Sequence, residues 1–131
     1  MLEVFKLTQA DSDVPFDSLL QACKARDCIP SIDQPDFIKA SSVDYLRDDD
    51  LLLALTYHGV TRAYPIRILD HHEIVNDRFG SDPVVITYCP LCGSGLAFEN
   101  RLDGQVMVFG TSSLLHNSDL ILYDRQTESL W

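Results

Sequence analysis

The chain has 131 residues, of which 46% are hydrophobic and 23% are charged, which is the balance of one globular domain. Its formal net charge of −10 disfavours binding to a nucleic acid or to an anionic membrane, so neither is expected as a partner. No apolar run approaches the roughly 18 residues of a membrane span, and the first residues carry no export signal, so the cytoplasm is the default location.

The first predicted element is a helix. Residues 15–27 place Pro15 in a first turn, and apolar residues follow it at helical spacing. Residues 28–36 contain two prolines and are expected to form a loop. Residues 42–46 are expected to add a short helix.

A hairpin and a longer helix are predicted next. Residues 51–64 contain two β runs joined by His58-Gly59, which is typical of a two-residue hairpin turn. Pro65 then opens a helix over residues 65–77, because apolar residues recur there at steps of three to five and form one face.

The rest of the chain predicts short strands joined by turns. The strand candidates are residues 84–88, 95–101, 105–109 and 120–123. Asp103-Gly104 is a strong hairpin signal, and residues 111–119 are expected to form a polar loop. We therefore expect an α+β fold, a mostly antiparallel sheet with two or three helices packed alongside, in a single domain over residues 1–131.

The motif that carries chemistry is Cys89-Pro90-Leu91-Cys92-Gly93, directly after a predicted strand. Two cysteines in such a turn can reach one ion, and Gly93 can take the positive φ that lets the loop curl around the sulfurs. This arrangement is half of a tetrahedral zinc site, and the sequence has no second C-X-X-C motif. A soft or borderline metal, zinc or copper, is therefore the first expectation.

A thiol-dependent enzyme or redox protein is the alternative explanation of the same motif. Cys89 would then be the nucleophile and Cys92 would resolve it, with His72 as base and Arg125 as an anchor for an anion. A thioredoxin-type site ranks lower, because it needs a helix directly after the motif and two glycines follow here. A third alternative is a structural or partner-binding module whose loop only braces a hairpin.

Three groups are candidates for completing the site. The first group, on the predicted helix, is His71, His72 and Glu73, and the second, in the predicted polar loop, is His116, Asn117, Ser118 and Asp119. Cys23 and Cys28 form the other close cysteine pair, and without an export signal their thiols are expected to be reduced. Each group also has an ordinary structural explanation as a helix, turn or core residue.

Long motifs of the chain resemble one known family. They are I-P-S-I-D-Q-P-D-F (29–37), R-A-Y-P-I-R-I-L-D-H-H-E-I-V-N-D (62–77), T-Y-C-P-L-C-G-S (87–94) and N-S-D-L-I-L-Y-D-R-Q-T-E-S-L-W (117–131). Over about residues 28–131 the chain resembles the bacterial and archaeal domain-of-unknown-function family 3179. The resemblance implies no settled activity. It implies that export is possible, and that the chain is a fragment or a minimal version, since members usually continue past this end.

The family pattern matches the polar groups of the helix, the loop and the chain end. The matching residues are His72, Glu73, Asn76, Asp77, Tyr88, Cys89, Pro90, Cys92, Gly93, Asn117, Ser118, Asp119, Tyr123, Asp124 and Arg125. Cys28 stands where a glycine is common, and Cys23 lies outside the pattern, so a zinc site of four cysteines is not implied.

These observations lead to one expected site. The expected metal ligands are Cys89, Cys92, His72 and Asp119. The residues expected to orient them are Glu73, Asn117, Ser118 and Arg125. Zinc or copper is the expected cofactor and a small ligand or metal ion the expected partner, with no nucleotide cofactor, because the sequence has no phosphate-binding loop or dinucleotide fingerprint.

Overall fold

The structure is a computed structural model and describes Phe5, Thr8 and residues 12–131. The first four residues, which enter the expectation about an export signal, lie outside the described part. Strands make up 46% of the structure and helices 11%. No helix among the described residues is long and apolar enough to cross a lipid bilayer.

The fold is mostly β, so the predicted α+β class is wrong. The described residues contain one α-helix, α1 (Ile66–His72), and two short 3₁₀ turns, Phe16–Ser18 and Ala40–Ser42. Their strands are β1 (Leu19–Gln21), β2 (Ile32–Asp33), β3 (Leu52–Tyr57), β4 (Val60–Pro65), β5 (Ile74–Phe79), β6 (Asp82–Cys89), β7 (Ser94–Glu99), β8 (Arg101–Leu102), β9 (Gln105–Val106), β10 (Phe109–His116) and β11 (Asp119–Asp124).

Four small sheets are formed within the described part of the chain. The largest has the strand order β2-β5-β6-β7, and a second has the order β1-β10-β11. The hairpins β3–β4 and β8–β9 make the other two sheets. All pairs are antiparallel except the short parallel pair β2–β5.

The two predicted hairpin turns are confirmed. His58 and Gly59 join β3 to β4, and Asp103 and Gly104 join β8 to β9. All four residues have positive φ (48°, 76°, 49° and 80°), as a primed two-residue turn requires.

The helix predicted over residues 15–27 is wrong. Phe16–Ser18 make a single 3₁₀ turn, and β1 then pairs with β10, with Leu19 opposite His116. The apolar residues fit a helical period, but a partner strand far along the chain supplies the hydrogen bonds instead. The short helix expected over residues 42–46 is replaced by the 3₁₀ turn at Ala40–Ser42.

The helix predicted over residues 65–77 is right only in its first half. It ends at His72, because Glu73 takes a φ of 58° and Ile74 begins β5. Ile74 and Val75 point to opposite faces of the sheet and both are buried, so β5 does not show the alternation that marks a strand with one exposed face.

The polar loop predicted over residues 111–119 is also wrong in its first part, which belongs to the buried strand β10. The hydroxyl groups of Thr111 and Ser112 donate hydrogen bonds to the carbonyls of Ile29 and Ile121. These bonds satisfy the polar side chains, and they can therefore lie in the interior.

The core lies on both faces of the strand pair β5–β6. One face carries the buried residues Tyr64, Leu69, Val75, Phe79, Val84 and Ile86. The other carries Ile74, Val85, Met107 and Phe109. The central sheet therefore separates α1 and the β3–β4 hairpin from β10 and β11.

Candidate thiolate site

The C-X-X-C motif lies at the tip of the hairpin formed by β6 and β7. Cys89 ends β6 and is paired with Ser94, the first residue of β7. The amide of Gly93 donates to the Cys89 carbonyl over 2.8 Å, and Gly93 has a φ of 62°. A strand follows the motif, so the site lacks the helix N-terminus on which a thioredoxin-type site depends.

A second hairpin tip lies against the first. Asn117 and Ser118 form the two-residue turn between β10 and β11, with φ of 50° and 66°. The Ser118 carbonyl oxygen lies 2.9 Å from the Cys92 sulfur and 3.5 Å from the Cys89 sulfur. In the reduced protein each thiol can donate to this carbonyl, so the turn holds the cysteine loop through its backbone.

Three candidate ligand atoms meet between the two tips. The sulfurs of Cys89 and Cys92 and a carboxylate oxygen of Asp119 all lie within 4.8 Å of one another. Asp119 Oδ1 is 3.5 Å from the Cys92 sulfur and also accepts the Leu120 amide at 2.9 Å. Cys89 is only 2% exposed, whereas Cys92 and Asp119 are exposed, so the site opens to solvent on one side.

Both cysteine pairs lie at bonding distance, which corrects the expectation of reduced thiols. The Cα atoms are 6.6 Å apart in the pair Cys23–Cys28 and 5.4 Å apart in the pair Cys89–Cys92. Disulfides are typical of oxidising compartments, so the pairing does not support the cytoplasmic expectation.

His72 lies outside this group of three. Its ring Nδ1 is 2.7 Å from the carbonyl oxygen of Pro30. Glu73, the next residue, contacts β6 through its backbone, since its carbonyl accepts the Tyr88 amide at 2.8 Å. Burial raises the pKa of the Glu73 carboxyl above its ordinary value.

Asn117 and Arg125 make their hydrogen bonds away from the cysteines. The Asn117 side chain lies 3.1 Å from the ring of its neighbour His116. Arg125 donates to Asp33 over 2.6 Å and to Ser31 over 2.8 Å, which ties the end of β11 to the segment around β2.

Two residues of the family pattern hold the sheets together. Asn76 clamps β10, because its Nδ2 donates to the Phe109 carbonyl at 2.8 Å and its Oδ1 accepts the Phe109 amide at 2.9 Å. Asp77 is buried and accepts hydrogen bonds from Arg62 at 2.5 Å and Tyr64 at 2.6 Å. Burial and the Asp77 carboxylate raise the pKa of the Tyr64 hydroxyl.

Asp124 secures the chain end in the same way. Its buried carboxylate accepts hydrogen bonds from the amide and hydroxyl of Thr127, at 2.5 and 2.7 Å, and from the Trp131 indole at 2.9 Å. Burial opposes the charge, but these hydrogen bonds together outweigh it and lower the pKa of Asp124.

A cavity of about 430 Å³ opens beside the cysteine hairpin. Cys89, Ser94 and Asp119 border it together with apolar side chains that include Leu96 and Phe98. Sequence reasoning missed this cavity and the Ser118 carbonyl. The cavity walls come from strands distant in sequence, and a backbone carbonyl has no signature in a side-chain pattern.

One family model matches residues 26–131, and its description is a protein of unknown function, DUF3179. No curated protein and no solved structure matches the chain.

Proposed function

The chain belongs to the DUF3179 family, and from this premise we propose that it is a metal-binding domain whose ion is held by Cys89, Cys92 and Asp119. The observation that carries the proposal is the convergence of two sulfurs and one carboxylate oxygen within 4.8 Å. Cysteine binds a metal as the thiolate, so the ion binds only while this pair is reduced.

The donor set favours zinc over copper(I). Copper(I) prefers soft sulfur ligands, whereas zinc accepts thiolates and carboxylates in one tetrahedral site. Three protein ligands leave a fourth position for water or a substrate, which is the arrangement of reactive rather than structural zinc sites. Cys92 and Asp119 are exposed, so a molecule from solvent can reach that position.

His72 is not needed in this ligand set. The sequence predicts it as a ligand, but its Nδ1 is engaged with the Pro30 carbonyl. A role for His72 would require its ring to reach the cysteine hairpin through Nε2, and the proposal does not depend on that.

Zinc content tests the proposal directly. Protein purified with a phosphine reductant and loaded with zinc should retain about one ion per chain after desalting. Cys92→Ser and Asp119→Asn should lose the ion. Cys28→Ser, which removes a thiol of the other pair, and Asp103→Asn, which neutralises an acid in another hairpin turn, should retain it. A reduced wild-type protein without zinc, or Cys92→Ser with undiminished zinc, would contradict the proposal.

Thiol–disulfide exchange is the second candidate, favoured by the bonding distance between the sulfurs of Cys89 and Cys92. In this reaction the reduced pair loses two electrons and two protons as its S–S bond forms, and a disulfide of the substrate gains them and becomes two thiols. Only Cys92 is exposed, so Cys92 would attack the substrate and Cys89 would resolve the mixed disulfide. This order is the reverse of the one that the sequence suggests.

Equilibration in glutathione buffers of graded ratio distinguishes the two candidates. An exchange protein should convert Cys89 and Cys92 reversibly between thiol and disulfide and should reduce glutathione disulfide without added zinc, and Cys92→Ser should abolish both. A zinc site should instead protect the two thiols from alkylation until a chelator is added.

A further inference from the structure

The cavity beside the cysteine hairpin has a floor formed by two paired strands. Alternate residues of β6 and their cross-strand partners on β7 supply it, and they are Val85, Thr87, Cys89, Ser94, Leu96 and Phe98. The floor spans four residues from Cys89 to Val85, which is about 13 Å at 3.3 Å per residue. The volume of about 430 Å³ lies within the range of natural small-molecule sites, about 300–1,000 Å³.

The charges around the cavity lie at its rim. The charged residues that border it, Glu99, Arg101 and Asp119, are all exposed, whereas most of the remaining lining is apolar. A charged group that entered the interior would lose its hydration without gaining an ionic partner. The interior therefore suits a neutral molecule, and the net charge of −10 further disfavours an anion.

Thr87 is the polar exception on the floor. It is only 7% exposed, and its hydroxyl forms no hydrogen bond with any residue that the structure describes. The Thr87 Oγ1 atom remains open to the cavity, in contrast to the Asn100 Oδ1 atom, which is unpaired but closed off. A buried hydroxyl without a partner destabilises a folded protein, and a polar atom of a ligand would supply that partner.

We propose that the cavity binds a small neutral molecule with an apolar body and one hydroxyl or carbonyl group, whose oxygen pairs with the Thr87 hydroxyl. A threonine hydroxyl both donates and accepts, so it can bind either group. The apolar body lies against Leu96 and Phe98, which are 54% and 52% exposed and would be covered by it.

The orientation of the ligand follows from the position of Thr87 on the floor. Thr87 and Cys89 are two residues apart on the same face of β6, a spacing of about 7 Å. The polar end of the ligand therefore lies on the side of the cysteine hairpin, and its apolar body extends along β7 towards Phe98. The proposal goes beyond metal binding, and the binding itself does not depend on an ion.

Calorimetric titration with 1-octanol tests the proposal on the full chain, with both cysteine pairs oxidised and a chelator present. Failure of the zinc proposal therefore cannot affect the result. The wild type should bind one octanol per chain with a dissociation constant on the order of 0.1 mM. Octanoate has the same length but carries a charge, and it should bind at least about tenfold more weakly.

Two substitutions test the assigned contacts. Thr87→Val keeps the shape of the side chain and removes the hydroxyl, so octanol should bind about fivefold more weakly. Leu96→Trp fills part of the cavity from an exposed position and should weaken binding at least about tenfold. The matched controls are Thr56→Val and Val60→Trp, on exposed residues of the β3–β4 hairpin, and both should bind octanol as the wild type does.

Thermal melts of the unliganded proteins show whether Thr87 has a role in folding instead. Since its hydroxyl is unpaired, Thr87→Val should melt at or above the temperature of the wild type. A lower melting temperature would mean that the hydroxyl already has a partner in the protein, and it would contradict the proposal. No octanol binding at about 1 mM, equal binding of octanoate, or undiminished binding by Thr87→Val or Leu96→Trp would overturn it as well.

Discussion

Replacing Asn76 with alanine should destabilise the fold without affecting the thiolate site. The Asn76 side chain accepts the Phe109 amide and donates to the Phe109 carbonyl, at 2.9 and 2.8 Å, and it also donates to Asp33 at 2.8 Å. It is thus the polar link between β5 of the central sheet and β10 of the second sheet.

The magnitude follows from the groups that the substitution leaves unpaired. Each orphaned buried backbone group costs roughly 1–3 kcal/mol, and Phe109 has two of them. We expect a loss of about 3 kcal/mol, because water can reach part of this site, and a melting temperature lower by roughly 10 °C.

Urea unfolding followed by circular dichroism measures the loss, and zinc content or thiol exchange measures the site. Gln105→Ala, an exposed amide on β9, is the matched control and should change stability by less than about 0.5 kcal/mol. If Asn76→Ala unfolds at the wild-type urea concentration, Phe109 finds other partners and the clamp has no energetic role. If it folds normally but loses zinc, Asn76 belongs to the site.

Three further predictions follow from the same structure. The lowered pKa of Asp124 means that its carboxylate stabilises the fold at neutral pH, and this contribution is lost as the pH falls below about 4. Asp124→Asn should therefore be less stable than the wild type at pH 7 and should lose less stability on acidification. Thermal melts from pH 7 to pH 3 measure both effects. Burial raises the pKa of Glu73, so its ionised form opposes folding above about pH 4.5, and Glu73→Gln should raise the melting temperature at pH 8 but not at pH 4. Cys23→Ser with Cys28→Ser opens a six-residue loop and should cost about 2 kcal/mol by the chain-entropy relation, a difference that should vanish when both proteins unfold in excess reductant.

Local signals were sufficient for the hairpins and insufficient for the rest of the fold. His58-Gly59 and Asp103-Gly104 predict their turns because a glycine at the second position takes a positive φ without strain, whatever lies elsewhere in the chain. Leu19 forms a strand because it pairs with His116, and this partner is so distant in the sequence that the residues around Leu19 give no sign of it. The expected α+β class rests on two helical periods, and one of them covers that strand.

The site shows the same division. Cys89 and Cys92 lie together because they are three residues apart, and their chemistry is evident from the sequence. Asp119 reaches them only through the pairing of β10 with β11, which the sequence does not predict, because it places residues 111–119 in a loop. His72 belongs to the motif that precedes the cysteine motif in the sequence, but at the end of α1 its Nδ1 lies against the Pro30 carbonyl instead.

The meeting of two hairpin tips from different sheets has a consequence for local stability. The ends of β ladders open at a lower free energy than their centres, so either tip can fray while both sheets remain folded. Opening of the Asn117-Ser118 turn would separate Asp119 from the cysteines and expose the sulfur of Cys89, which is buried, whereas Cys92 is exposed already. The reactivity of Cys89 is thus coupled to a local unfolding equilibrium, and an ion held between the two tips would act on that equilibrium well before it alters global unfolding.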